Sequence, residues 1–170
     1  MLYKIALLVF ITILTSSCNQ KRDSQSADAC KYGAPQPIFN PTQAGLSGHE
    51  FSRQGNDATE QIRFDNGETL TVLQSGCNEI RQEFQFGLLE QPLTDSPAWW
   101  IAQAVNEMRR LSSFGPDYQA FAAWAAEIEE RAETIKLAEA FELQRGFFVR
   151  IDRIASTENA TLVLTLSDAP

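Results

Sequence analysis

The chain is poor in the residues that most site chemistry requires. Its 170 residues include one histidine, His49, three cysteines and two methionines. Any imidazole-based acid–base or nucleophilic mechanism must therefore use His49. Neither CxxC nor HExxH occurs, so the close ligand pairs by which zinc sites declare themselves are missing. No apolar run reaches the roughly 20 residues that a membrane-spanning helix needs. Basic charge is also scarce, with 14 Lys+Arg against 22 Asp+Glu and a net charge of −8. Such a surface repels phosphate backbones and anionic headgroups, so nucleic acid is not an expected partner. What remains, with 44% hydrophobic residues, is enough for one globular domain and excludes a disordered polymer.

The first 18 residues carry an address. Met1 to Ser17 combines a positive start at Lys4, an apolar stretch from Ile5 to Phe10 that continues through Ile11, Ile13 and Leu14, and small residues at Ser16 and Ser17. The run Leu14-Thr15-Ser16-Ser17-Cys18 resembles the lipobox of bacterial lipoproteins, with Thr15 standing where leucine is most common. The resemblance implies that Cys18 is diacylated and becomes the mature N-terminus, and Asn19 after it resembles the pattern for outer-membrane delivery. Two acyl chains satisfy the two-signal requirement for stable anchoring, each buried CH₂ contributing about 0.8 kcal/mol. The expected location is thus the cell envelope, lipid-anchored, at the outer membrane and facing the periplasm. An ordinary cleaved signal, with Cys18 left as a thiol, is the competing reading.

Asn19 to Ala29 is polar and contains no aromatic or large aliphatic residue, so it cannot bury enough surface to offset its ordering entropy. The expected organisation is a signal over 1–17, a tether over 18–29 and one domain over 30–170. Without the signal, which carries Lys4 and no acid, 13 basic residues face 22 acidic ones. Membrane attachment then has to come from lipid rather than from a basic patch. With Cys18 acylated, Cys30 and Cys77 remain in a compartment where disulfides persist, and a bond between them is expected. A metal site built from Cys30, His49 and Cys77 is the competing chemistry; it lacks the usual spacing, and no metal or cofactor is expected.

Within the domain, Tyr32 to Gln43 contains Gly33, Pro35, Pro37 and Pro41, which favours an extended segment with Ile38 and Phe39 reaching the core. From Glu60 the period is two: Ile62 and Phe64 alternate with polar residues, Asn66-Gly67 suits a two-residue type I′ hairpin, and Thr69 to Leu73 returns. A further strand runs from Glu79 to Gly87, with Ile80, Phe84 and Phe86 on one face and Gln82 as the polar exception. The period then becomes helical. Thr94, Asp95 and Ser96 offer N-caps, Pro97 suits the first turn, and Ile101, Val105, Met108 and Leu111 form a stripe to about Ser112. Pro116 opens a second helix carrying Tyr118, Phe121, Ala125, Ile128 and Ala132. Lys136 to Gln144 suits helix or strand equally. Phe147 to Ile154 and Thr161 to Ser167 read as strands, with Leu162, Leu164 and Leu166 on one side and Ser156 to Asn159 turning between them. The expected fold class is α+β: a mostly antiparallel sheet from N- and C-terminal strands, with a central two-helix hairpin packed on it.

Candidate chemistry is sparse. Ser47 precedes His49 in Gly45-Leu46-Ser47-Gly48-His49, but this is not the strand–turn–helix context of a nucleophile elbow. A loop or strand-edge histidine is the plainer reading. Asp65 and Glu68 border the Asn66-Gly67 turn without the further ligands of a calcium loop. Glu127, Glu129, Glu130 and Glu133 read as a solvated helix face. Trp99 and Trp100 lie about 100° apart on a helix, so both cannot enter the core. A rim tryptophan could stack on a sugar or anchor a partner, which makes these two the candidate binding residues. Trp124, beside the apolar stripe, reads as structural, and Asn159-Ala160-Thr161 as a turn rather than a glycosylation site. No catalytic residue is assigned. The expected function is a membrane-anchored, non-catalytic binding module for an envelope protein or glycan. The alternative is an envelope hydrolase using His49 with acidic residues.

Overall fold

Residues 31–89, 96–155 and 160–170 are described here from a computed structural model of the chain. The signal, Cys18, the tether, Cys30, the caps at Thr94 and Asp95 and the turn at Ser156 to Asn159 lie outside the described residues. Among the described residues, seven strands and two α-helices form an α+β fold whose strands all pair antiparallel. In chain order the strands are β1 (Leu46–Gln54), β2 (Asp57–Phe64), β3 (Thr69–Ser75), β4 (Arg81–Leu88), β5 (Ala140–Gln144), β6 (Phe147–Ala155) and β7 (Ala160–Ser167). Their order in the sheet is β1-β2-β3-β4-β7-β6-β5, so an N-terminal and a C-terminal meander join through the β4–β7 pair. Between β4 and β5 come α1 (Pro97–Ser112), a 3₁₀ turn (Pro116–Tyr118) and α2 (Gln119–Glu130).

Period-two alternation puts one row of each strand in the core. Ile62 and Phe64, Leu70 and Val72, Phe84 and Phe86, Leu162, Leu164 and Leu166, and Val149 and Ile151 are all buried. They share one cluster with Trp100, Ile101, Ala104, Met108 and Leu111 of α1 and with Phe121, Ala125 and Ile128 of α2. Phe84 meets Phe121 edge-on at 5.7 Å, and Trp124 of α2 lies 5.3 Å from Phe147 at the start of β6. Ser96 caps α1 by accepting Trp99 N–H at 3.4 Å, Pro97 fills the first turn, and Arg109 and Arg110 sit at the end where helix carbonyls favour cations.

At four local points the structure goes beyond the expectations or departs from them. First, Leu46–Gln54 is a strand although its sequence, LSGHEFSRQ, has no clear apolar alternation; pairing with β2 over eight positions holds it at the sheet edge. Second, the β2–β3 turn is not the two-residue type I′ form. Gly67 N–H bonds Phe64 C=O at 3.0 Å, Phe64 N–H bonds Glu68 C=O at 2.9 Å, and Gly67 (φ 88°) is the left-handed residue of the turn, which defines a three-residue loop closed by a glycine bulge. Third, the second helix does not run from Pro116 to Ala132: one 3₁₀ turn precedes it, and it stops at Glu130, after which Arg131 points its guanidinium at the Glu142 carbonyl, 2.6 Å away. Fourth, the ambiguous 136–144 stretch resolves into a turn and β5, because Ala138 takes a left-handed φ of 64° while its N–H bonds Ile151 C=O at 2.8 Å. Neither feature is compatible with a continuing helix.

Candidate functional site: a buried carboxylate beneath an N-terminal strap

Residues 31–45 form no helix or strand and cross the inner face of β1–β3 as a strap. Beneath it the sheet departs from its apolar rule. Glu60 on β2 is completely buried, Gln74 on β3 is buried, and Gln82 on β4 stands directly opposite Gln74. A buried carboxylate without partners would cost several kcal/mol. Glu60 is therefore surrounded by donors: Ile38 N–H bonds Oε2 at 2.8 Å, Phe39 N–H bonds Oε1 at 2.9 Å, and His49 Nε2 lies 2.7 Å from Oε1. An ionised carboxylate only accepts, so this network assigns the imidazole proton to Nε2.

The strap is held along its whole length. Gln74 Nε2 donates to Gln36 C=O at 3.0 Å, and Asn40 N–H donates to the Tyr118 hydroxyl at 3.2 Å. Phe39, almost fully buried, stacks on Tyr118 at 5.5 Å and meets Phe114 edge-on at 6.1 Å. At the start, Tyr32 N–H bonds Cys77 C=O at 3.3 Å, and its hydroxyl donates to Asp168 at 2.5 Å. Asp168 also accepts Ile80 N–H at 2.8 Å. The Tyr32 hydrogen bond, ahead of the Ile80 amide and the nearby Lys31 ammonium, holds the Asp168 carboxyl below its usual range.

The histidine expected in a loop or at a strand edge lies on the edge strand β1, but its ring is turned inward and only 8% exposed. Ser47 does not face it as a nucleophile would, because its hydroxyl donates to the carbonyls of Phe64 (3.1 Å) and Arg63 (3.3 Å). The structure instead joins His49 to Glu60, a residue that strand alternation alone would have placed in the core. The signal that could have found this site is a Glu at an inward position two residues before Ile62.

Other candidates are dispersed. Trp100 is fully buried, whereas Trp99 is half-buried and packs edge-on against it at 4.8 Å. Trp124 contacts Phe121 and Phe147. Glu127 pairs with Arg131 at 3.0 Å and Glu129 with Arg109 at 2.5 Å, while Glu130 and Glu133 are exposed. Asp65 and Glu68 do not converge: the Asp65 N–H bonds Gly45 C=O, while Glu68 pairs with Arg110, whose guanidinium lies 3.9 Å over the Phe64 ring. Arg110 also contacts Glu107, and burial raises the Glu107 carboxyl above its ordinary pKa despite the opposing pull of that guanidinium. Cys77, the cysteine among the described residues, is disulfide-bonded. No group of three or more potential metal ligands occurs among the described residues, and none of their helices is long and apolar enough to cross a membrane. No known protein family, curated protein or solved structure matches the chain.

Proposed function

We propose that the chain is an envelope lipoprotein whose domain acts as a non-catalytic interaction module, anchored through acylated Cys18. The observation that carries this reading is the use made of the one histidine: His49 Nε2 is committed to Glu60, and Glu60 is committed to the strap amides. A hydrolase built on this pair needs the carboxylate and ring poised toward a substrate, but both are turned into the protein beneath residues 38 and 39. The nearby hydroxyl of Ser47 is occupied by backbone carbonyls.

The N-terminal geometry supports the anchored arrangement. Lys31 and Tyr32 sit beside Asp168 and Cys77, at the end of the sheet that carries the 76–80 turn and the C-terminus. We assign Cys30 as the disulfide partner of Cys77, because Tyr32, two residues later in the sequence, bonds the Cys77 carbonyl. We read α1 and α2 as an antiparallel hairpin over the sheet, with Trp99 on its rim as the candidate contact for a protein or glycan partner.

Two measurements test the proposal. Metabolic labelling with a fatty-acid analogue should mark the wild-type chain and not Cys18→Ser. Crosslinking in intact cells should then capture an envelope partner with the anchored chain. An unlabelled wild-type chain refutes the anchor, and a labelled chain that captures nothing above background refutes the module.

A further inference from the structure

We propose that the groove under the strap is a peptide-recognition site, closed in this structure by the chain's own residues 34–42, and that its ligand in trans is an extended, proline-flanked segment with an aliphatic–aromatic pair. This rests on the reading of the domain as an interaction module and names the ligand class of that module. The seated strap supplies the chemistry of the occupant. Recognition is mostly of main chain: Glu60 takes the N–H groups of Ile38 and Phe39, Tyr118 takes that of Asn40, and Gln74 gives to the carbonyl of Gln36. One side chain, Phe39, anchors the segment between Tyr118 and Phe114. Side chains that read the backbone of an extended segment, with one aromatic anchor in a pocket, are the pattern of a peptide groove.

The floor fits this role better than simple packing. Where helices cover the sheet, its buried inward residues are Phe, Leu, Ile, Val and Ala, with the half-buried Arg153 beside Leu162 and over the Trp100 ring as the polar exception, whereas four polar residues, His49, Glu60, Gln74 and Gln82, gather on the strap side. The strap also stands outside the strand ladder. Among the described residues, the backbone of 33–44 makes no backbone–backbone hydrogen bond to any strand except Leu46 N–H to Gln43 C=O at its own junction with β1, so lifting it breaks no β pairing. Glycines at positive φ bracket it, Gly33 at 72° and Gly45 at 90°. A crevice of about 260 Å³ between residues 32–38 and the lower ends of β3 and β4, lined in part by Gln74, Gln82 and Arg81, leaves room for a bulkier segment than the present one.

A strap joined covalently to its groove competes at an effective concentration in about the millimolar range, so a peptide in trans binds only when the strap is weakened or displaced. The experiment therefore alters the strap and leaves the groove intact. The probe is a fluorescein-labelled synthetic peptide of residues 34–43, titrated with the wild-type chain and with an Ile38→Ala/Phe39→Ala double variant, and read by anisotropy. Saturable binding at least tenfold tighter to the double variant is expected, together with loss of binding when the peptide itself carries Phe39→Ala. Absence of saturable binding to a double variant that keeps the wild-type far-UV circular dichroism overturns the proposal, as does equal binding of the altered peptide. Should the double variant fail to fold, the wild-type chain carrying a protease site between Gln43 and Ala44 is folded, cleaved and reduced; exchange of the severed strap for the labelled peptide supports the groove, and retention of the strap in excess peptide overturns it. A partner captured in cells by a chain whose groove takes no peptide keeps the module reading and removes this one.

Discussion

Removing one oxygen from the Glu60 carboxylate tests the clamp most directly. In Glu60→Gln the side chain keeps its volume but has a single acceptor oxygen and gains an NH₂ group. Three donors now converge on Glu60: the amides of Ile38 and Phe39 and the His49 ring. Whichever way the amide is oriented, at least one of these buried donors faces another donor. A buried group left unsatisfied costs about 1–3 kcal/mol, and hydrogen bonds to a charged group are each stronger than neutral ones, so the expected loss is about 3 kcal/mol. Glu60→Ala removes every acceptor and leaves a cavity as well, and the expected loss rises to about 5 kcal/mol, comparable with the whole stability of many domains of this size. Urea denaturation at pH 7 measures both, and hydrogen exchange locates the effect: the amides of Ile38 and Phe39 should lose protection in Glu60→Gln before those of β3 and β4. A Glu60→Gln chain within 0.5 kcal/mol of wild type, with both amides still protected, would refute the claim that this carboxylate pins the strap.

Three further outcomes are expected. Burial raises the Glu107 pKa, so the folded chain binds that proton more tightly than the unfolded chain; ionised Glu107 therefore costs stability above its raised pKa, and the cost disappears as pH falls toward the ordinary glutamate value. Thermal melts of Glu107→Gln should compare most favourably with wild type near pH 8 and lose that advantage by about pH 4. Asp168 behaves oppositely, since its pKa is lowered: its carboxylate stabilises the fold above the ordinary aspartate value and ceases to do so as pH falls through the lowered one. Asp168→Asn should lower Tm at pH 7 and leave it nearly unchanged at about pH 2. Cys77→Ser, compared with the oxidised wild type, should cost about 4 kcal/mol if Cys30 closes the loop as proposed, and under reducing conditions the two chains should melt together.

Much of the fold was legible because its signals are local. The stripe Ile101, Val105, Met108 and Leu111 bounds α1 at the expected residues, since a proline, a serine cap and a helical period coincide there. The rows Ile62–Phe64, Phe84–Phe86 and Leu162–Leu166 repeat every second residue and occupy the core. What was not legible depends on distant partners. Leu46–Gln54 is a strand because β2 offers it a ladder, a fact absent from its own composition. Asn66-Gly67 suits a tighter turn than it makes, because the loop is also tied at Asp65 to Gly45 and at Glu68 to Arg110. The left-handed Ala138 is set by Ile151, thirteen residues away, and no property of alanine announces it.

The candidate site was half legible for a reason that bears on its function. Sequence singles out His49 because it is the one imidazole, and it singles out Gln82 because it breaks an apolar row, but it gives neither a partner. The structure brings both to the same side of the domain, under a stretch that sequence marks as extended and proline-rich, with Ile38 and Phe39 reaching the core, but does not connect to either residue. A histidine 2.7 Å from a buried glutamate has, in isolation, the geometry of an acid–base pair. What decides its role is the accounting of lone pairs: the Glu60 oxygens already receive two backbone amides, so displacing the imidazole toward a substrate would strip an acceptor of one of its three donors and loosen the strap as well. Chemistry at His49 and seating of the strap are therefore mutually coupled, and in the closed form described here the pair serves the strap. A segment that replaced residues 34–42 while offering its own amides to Glu60 would leave the pair satisfied, which is the condition the proposed exchange of peptides has to meet.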